Sequence, residues 1–168
     1  MIITNEVLII FIAVLVICLL GFKKYIWFIS IGYGFSITAV GVSLLVLYRD
    51  NLDLSYIISS IILICYGLRL GGFLAYRELK SKTYNKKMKN EISDGSHMTI
   101  PLKIMMWISC ALLYILMTSP IIYRFVNKSE SDTCFIIGIV IAVFGILIES
   151  LSDYQKNKSK KRTYNDRN

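Results

Sequence analysis

Residues Leu54–Tyr76 read LSYIISSIILICYGLRLGGFLAY, an apolar run with a single charged side chain, Arg69. A run of about 20 apolar residues is long enough to cross the hydrocarbon core of a bilayer as a helix. Lipid offers the backbone no hydrogen-bond partners, so a spanning segment must be a helix or a strand of a closed barrel. Because this run is continuous rather than alternating, it predicts a membrane-spanning helix and excludes a barrel strand.

Four further apolar runs of similar character flank this one, at Val7–Phe22, Ile26–Tyr48, Ile104–Val126 and Cys134–Leu151. The whole chain is 55% hydrophobic and 18% charged, with a mean hydropathy of +0.60. Soluble domains carry about 45–50% apolar and about 25% charged residues. We therefore predict an all-α, multi-pass helical membrane protein with about five transmembrane helices. A membrane domain is expected over residues 1–155, followed by a basic cytoplasmic tail over 156–168.

The positive charges are distributed asymmetrically between the predicted loops. The net charge is +8, and fifteen of the nineteen Lys and Arg residues follow the first, third or fifth apolar run. This distribution indicates membrane topology rather than nucleic-acid binding. Because basic loops stay in the cytoplasm, it predicts an outside N-terminus and a cytoplasmic C-terminus. The sequence is rich in Ile, Lys, Asn and Tyr, which is typical of an AT-rich genome. We therefore favour a bacterial inner membrane over the endoplasmic reticulum.

Cysteine and histidine residues give no indication of a metal site or a disulfide framework. The four cysteines fall in or beside four different apolar runs without a Cys-x-x-Cys pair, and His97 stands alone in a polar loop. We expect the cysteines to be small packing or lipid-facing residues. Glycine-rich nucleotide-binding motifs and the HExxH and GxSxG motifs are missing from the sequence, which therefore does not indicate a soluble nucleotide-binding fold.

Two ionisable residues, Arg69 and Glu149, stand inside apolar runs, where each is costly unless it faces the bundle interior or water. A pairing of the two across helices is geometrically possible. Tyr66 lies three residues before Arg69, on the same helix face. Glu149, Asp153 and Lys156 follow one another at helical spacing on the fifth helix. Together they form either a polar strip open to the cytoplasm, suited to a charged cofactor and a lipid-like substrate, or a structural ion pair with a packing tyrosine.

A group of three glycines, Gly67, Gly71 and Gly72, lies beside Arg69. Small residues at this spacing let transmembrane helices approach closely. We expect these glycines to serve helix packing.

Two motifs resemble those of the membrane steroid 5-alpha-reductase-like family, including its bacterial members of unassigned function. The first, in Tyr66–Glu78, is aromatic-x-x-Arg-Leu followed by Leu-x-x-Arg. The second, in Gly145–Lys156, is Gly-x-x-x-Glu-x-x-x-Asp-x-Gln-Lys. The segment Pro101–Phe125 between them is similar to the next helix of the bacterial members. The resemblance covers roughly Leu54 to Lys161.

The resemblance implies a reductase that uses NADPH to reduce a carbon–carbon double bond conjugated to a carbonyl in a lipid-like substrate. Tyr66 matches the tyrosine that hydrogen-bonds and helps to protonate the substrate carbonyl. The implied cofactor-binding residues are Arg69, Arg77, Glu149, Asp153, Gln155 and Lys156. Among these, the arginines would meet phosphate or orient the cofactor, and the carboxylates would accept hydrogen bonds from its ribose or amide groups.

Family members continue beyond the second motif into an Arg-x-Pro-Asn-Tyr-x-Gly-Glu type run that completes the cofactor site, whereas this sequence ends at Asn168. The expectation is a truncated or split member that is incomplete as an enzyme by itself: either a partner chain supplies the missing C-terminal module, or the chain is a relic. Two alternatives stay open from the sequence. One is a small non-catalytic membrane scaffold or subunit, and the weaker one is a relative of the membrane methyltransferases.

Overall fold

The computed structural model describes residues 5–51, 53–80, 98–129 and 132–165. Within these ranges the chain forms helices and no strand. The six α-helices are α1 (Asn5–Cys18), α2 (Ile26–Ile29), α3 (Ile31–Leu47), α4 (Leu54–Lys80), α5 (Ile100–Val126) and α6 (Thr133–Asn165). Short 3-10 turns follow α1 at Leu19–Phe22 and α3 at Arg49–Asn51.

Five helical segments in these ranges are long and apolar enough to cross a membrane. They are Asn5–Phe22, Ile26–Leu47, Leu54–Glu78, Ile100–Val126 and Thr133–Lys156. The prediction of an all-α fold with five apolar helical segments of membrane-spanning length is confirmed.

The second apolar run is divided at Ser30 into α2 and α3, although the sequence predicts one continuous helix over Ile26–Tyr48. The Ser30 hydroxyl donates a hydrogen bond to the carbonyl of Ile26, at 2.9 Å. Hydroxyl groups that bond back to the preceding turn bend helices. The break frees the carbonyl groups at the end of α2 for other partners.

The later helices extend beyond the apolar runs that predict them. α4 continues to Lys80, and α5 begins at Ile100 with Pro101 in its first turn, where proline is well tolerated. α6 continues past Leu151 to Asn165, so most of the segment predicted as a tail is helical. No glycine or proline follows Gly145 in the chain to interrupt it.

The structure divides into two units, Met1–Ser129 and Glu130–Asn168. In the first unit α3 is the central helix and contacts α1, α4 and α5. The core of this unit is formed by apolar side chains from α1, α3 and α5, among them Ile10, Val14, Val40, Leu44, Ala111 and Phe125. The second unit contains α6, which is apolar on all sides from Cys134 to Ile148.

Glycines bring α3 and α4 into backbone contact, and the two helices run antiparallel. A Cβ atom at Gly34 would lie 2.5 Å from the Cα atom of Gly71, and one at Gly67 would lie 2.5 Å from the Gly34 carbonyl oxygen. Nearer the other end of the pair, a Cβ atom at Gly41 would lie 3.0 Å from the Ser60 carbonyl oxygen. The packing role predicted for Gly67 and Gly71 is confirmed. At Gly72 no atom of the described part of the first unit lies within 4 Å of an added Cβ, so the packing role of this glycine stays a prediction.

The two ends of the first unit are held by different contacts. At one end Tyr56, near the start of α4, donates a hydrogen bond to the carbonyl of Ser129, at 2.8 Å, and its ring lies 4.6 Å from that of Phe125. At the other end the connection between α1 and α2 meets the start of α5, so that Lys24 and Lys103 line one cleft. The start of α4 thus lies beside the end of α5, and the end of α1 lies beside the start of α5. Neighbouring helices of this unit therefore run in opposite directions.

Candidate functional site

Tyr66 lies at the midpoint of the membrane-spanning segment Leu54–Glu78. With a rise of 1.5 Å per residue, it is about 18 Å from either end of that segment. It directly precedes Gly67, whose backbone touches α3. The close approach of the two helices therefore decides which side chains surround this phenol.

Tyr66 belongs to a cluster of three tyrosines, which we call the tyrosine cluster: Tyr33 on α3, Tyr66 on α4 and Tyr114 on α5. The hydroxyl oxygens of Tyr33 and Tyr66 are 3.4 Å apart, and their rings meet edge to face with centroids 6.5 Å apart. The Tyr33 and Tyr114 ring centroids are 5.3 Å apart. Three helices thus place three phenols side by side in the interior of the membrane-spanning segments.

The members of the tyrosine cluster differ in how their hydroxyl groups are used. Tyr114 is 2% exposed, and its hydroxyl donates a 2.5 Å hydrogen bond to the carbonyl of Phe28 at the end of α2. That carbonyl is one of those that the break at Ser30 leaves outside the helical ladder. Between Tyr33 and Tyr66 the O···O distance exceeds the usual 2.5–3.0 Å. The contact between Tyr33 and Tyr66 is therefore a long one, whereas the Tyr114 hydroxyl joins α5 to the end of α2.

Two arginines follow Tyr66 on α4. Arg69 and Arg77 are half-buried, and the Nη1 atom of Arg69 and the Nε atom of Arg77 are shielded from solvent. The guanidinium carbon of Arg77 lies 6.0 Å from the centre of the Phe73 ring. Arg69 follows Tyr66 by less than one helical turn, so that a cationic group and a phenol share one face of α4.

The remaining predicted site residues, Glu149, Asp153, Gln155 and Lys156, lie on α6. Glu149 and Asp153 are one helical turn apart and share a face of that helix. Because α6 belongs to the second unit, the predicted pairing of Arg69 with Glu149 stays a prediction. The structure thus brings Tyr66, Arg69 and Arg77 onto one helix of the first unit and the other four onto the helix of the second.

Three residues of the first unit went unassigned in the sequence analysis. Tyr33 and Tyr114 join Tyr66 only through tertiary packing, and no spacing in the sequence indicates that they meet. Glu78 is 3% exposed at the end of α4, next to Arg77. The sequence did contain an indication that Glu78 is unusual, because it is the only acidic residue of α4.

The cysteines are free thiols, with Cys18 and Cys110 buried and Cys65 and Cys134 exposed. Across the described ranges, no three His, Cys, Asp or Glu side chains are grouped closely enough to hold a metal ion. His97 lies outside those ranges.

The apolar helices, the glycine-packed helix pair and the polar side chains within the membrane-spanning segments define a multi-pass helical membrane protein. More narrowly, the chain belongs to the DUF1295 family, described as a protein of unknown function, with a match over residues 15–167. No curated protein and no solved structure matches the chain.

Proposed function

We propose that this protein is a membrane oxidoreductase that reduces a carbon–carbon double bond conjugated to a carbonyl in a lipid-like substrate, with NADPH as the reductant. The observation that carries the proposal is the phenol of Tyr66, which stands in the middle of its membrane-spanning segment with the phenol of Tyr33 3.4 Å away. An apolar substrate can reach this depth from the bilayer. A hydrogen-bond donor in such low-dielectric surroundings stabilises developing negative charge far better than one in water.

The donor set on α4 is chemically suited to a dinucleotide. Arg69 and Arg77 are separated by eight residues, or about 12 Å along the helix, and guanidinium groups bind phosphate in a bidentate manner. Both lie on the same side of Tyr66 along the chain. Anionic and reactive parts of one extended cofactor could therefore be held along this helix.

When bound, the nicotinamide supplies the hydride that adds to the carbon β to the carbonyl. The Tyr66 hydroxyl donates a hydrogen bond to the carbonyl oxygen and transfers its proton as charge develops there. Tyr33 is positioned to donate a hydrogen bond to the resulting Tyr66 phenolate. Hydride at Cβ and a proton on the carbonyl oxygen give the enol, which tautomerises to the saturated carbonyl compound. One proton from solvent then restores the Tyr66 phenol, so that the net change is the addition of one hydride and one proton to the substrate.

For Glu149, Asp153, Gln155 and Lys156 we propose contacts with the polar parts of the cofactor. The support is their order in the motif and the one-turn spacing of the two carboxylates on α6.

The proposed orientation has the N-terminus outside and the C-terminus in the cytoplasm, in a bacterial inner membrane. It is supported by the positive-inside rule and by the cleft in which Lys24 and Lys103 meet, since this cleft brings two of the basic connections to one end of the first unit.

The first test is NADPH binding to the full chain purified in a neutral detergent, measured by cofactor fluorescence. Saturable binding is expected for the wild type and is expected to be lost in Glu149→Ala. An absence of binding at millimolar NADPH would contradict the proposal and favour the alternative, a non-catalytic scaffold or subunit. Binding of S-adenosylmethionine instead would favour the methyltransferase alternative.

The second test is turnover of a long-chain 2-enone, followed by NADPH oxidation. Replacement of Tyr66 by Phe should lower turnover by about 10²-fold or more, because the proton donor is lost, and should leave NADPH binding unchanged. Tyr123→Phe is the matched control, since Tyr123 is exposed on α5. Equal turnover by Tyr66→Phe and the wild type would exclude Tyr66 as the donor.

A further inference from the structure

A cleft of about 320 Å³ lies where the connection between α1 and α2 meets the start of α5. Three lysines and three aromatic residues line it: Lys23, Lys24, Lys103, Phe22, Tyr25 and Phe28. Among the residues that the structure describes, the lining therefore carries three positive charges and no acidic side chain. A surface of this composition attracts an anion.

The aromatic side of the cleft is firmly packed. Phe28 is completely buried, and its ring lies 5.4 Å from that of Phe22 and 6.5 Å from that of Tyr25. An added Cβ atom at Gly21 would collide with the Phe28 ring, so the glycine is what lets this ring lie against the backbone. Because its aromatic floor is fixed by packing, the cleft exists before any ligand arrives.

The cleft lies at the boundary between membrane and water. Lys23 directly follows the segment Asn5–Phe22, Lys24 comes just before Ile26–Leu47, and Lys103 is the fourth residue of α5. The two tryptophans of the chain are close by: the Lys24 ammonium lies 5.8 Å from the Trp27 ring, and the Trp107 ring lies 5.9 Å from that of Phe22. Tryptophan is enriched at the level of the lipid headgroups.

We propose that this lysine cleft binds the phosphate headgroup of an anionic phospholipid. Basic pockets between transmembrane helices bind such headgroups, and the positive end of the α5 dipole adds to the attraction. The cleft volume falls at the lower end of the range for small-molecule sites, which suits a headgroup. The aromatic rings give the adjoining apolar part of the lipid a surface that free phosphate could not use.

The two tryptophans provide a probe at the cleft itself. Brominated phosphatidylglycerol is titrated into the full chain in neutral detergent micelles, and quenching of tryptophan fluorescence is measured, with brominated phosphatidylcholine as the reference lipid. The wild type should bind phosphatidylglycerol more tightly than phosphatidylcholine. Each lysine replaced by Gln should weaken that preference about fivefold, and the triple variant Lys23→Gln/Lys24→Gln/Lys103→Gln should weaken it about 100-fold.

A triple variant with the same loss of charge outside the cleft is the matched control: Arg49→Gln/Lys128→Gln/Lys158→Gln, at three exposed positions. It should keep the wild-type preference. If both triple variants lose the phosphatidylglycerol preference equally, lipid binding depends on the overall charge of the protein and not on the cleft. That result would overturn the proposal. Thermal unfolding of both variants shows whether each is folded.

Two competitors distinguish the possible sources of the phosphate. Unbrominated phosphatidylglycerol should relieve the quenching, whereas glycerol phosphate at the same concentration should not. Full relief by glycerol phosphate would identify a soluble phosphate as the ligand. If NADPH relieves the quenching fully in the wild type but not in the triple variant Lys23→Gln/Lys24→Gln/Lys103→Gln, the lysines belong to the cofactor site instead. Relief by glycerol phosphate or by NADPH would each overturn the lipid proposal.

Discussion

A methyl group added at Gly67 should force α3 and α4 apart. In the native structure the new Cβ atom would lie 2.5 Å from the Gly34 carbonyl oxygen and 2.6 Å from the Thr38 backbone nitrogen. Ordinary van der Waals contact begins at 3.4 Å. Both obstacles are backbone atoms, which cannot rotate away as a flexible side chain can.

The required displacement is therefore about 0.9 Å at this point, the difference between 3.4 Å and 2.5 Å. A gap of 0.5–1 Å removes about a quarter to a half of the dispersion energy of the contacts that it opens. Overpacking of this kind costs about 1–3 kcal/mol. The same displacement would lengthen the distance between the Tyr33 and Tyr66 hydroxyls beyond 3.4 Å and end their contact.

The free energy of unfolding of Gly67→Ala is best measured by titrating sodium dodecyl sulfate into mild detergent micelles. Gly72→Ala is the matched control, since it makes the same substitution in the same helix at a point where no atom of a neighbouring described element lies within 4 Å of the added Cβ. It should be neutral or gain up to about 1 kcal/mol from the better helix propensity of Ala. Wild-type stability of Gly67→Ala, or equal destabilisation by both variants, would show that the glycine contact does not hold the pair together.

Two buried hydrogen bonds give further predictions for the same assay. Tyr114→Phe should destabilise by about 0.6–1.7 kcal/mol, the range for interhelical hydrogen bonds in membranes, because the Phe28 carbonyl loses its donor. The exposed Tyr123→Phe is the control, and an equal effect at both positions would contradict the prediction. Trp107→Phe should cost at least about 0.6 kcal/mol, since the indole nitrogen donates a 2.8 Å hydrogen bond to the Leu15 carbonyl in the last turn of α1. Unchanged stability would show that this bond is dispensable.

The interiors of the spanning helices were predictable from local sequence, but several of their ends were not. An apolar run predicts where a helix is buried in lipid, because the cost of bare backbone in the membrane leaves few other structures. It does not predict where a helix stops in water, which is why α6 continues to Asn165 beyond the end of its run at Leu151. The break at Ser30 was also missed, because it depends on one hydroxyl bonding to the carbonyl of Ile26.

The candidate site was only partly predictable. Tyr66 and Arg69 are neighbours through helical spacing alone, so the sequence was sufficient to place them on one face. Tyr33 is 33 residues from Tyr66 in the chain and reaches it through the glycine contact between α3 and α4. The number of basic residues in each loop could likewise be read from the sequence. That three of these lysines line one cleft could not be predicted from it.

The sequence was enough to establish an all-helical membrane protein with five apolar spanning segments, because burial in lipid acts on each segment separately and residue by residue. Tertiary packing decided which helix faces contact one another. Of the three glycines near Arg69, Gly67 and Gly71 touch another backbone, while an added Cβ at Gly72 meets no atom of the described residues within 4 Å. Which face of a uniformly apolar helix meets its neighbour depends on the shape of both surfaces, since lipid tails are as apolar as the side chains they replace. For that reason the phenol pair and the lysine cleft became visible only once the helices were packed.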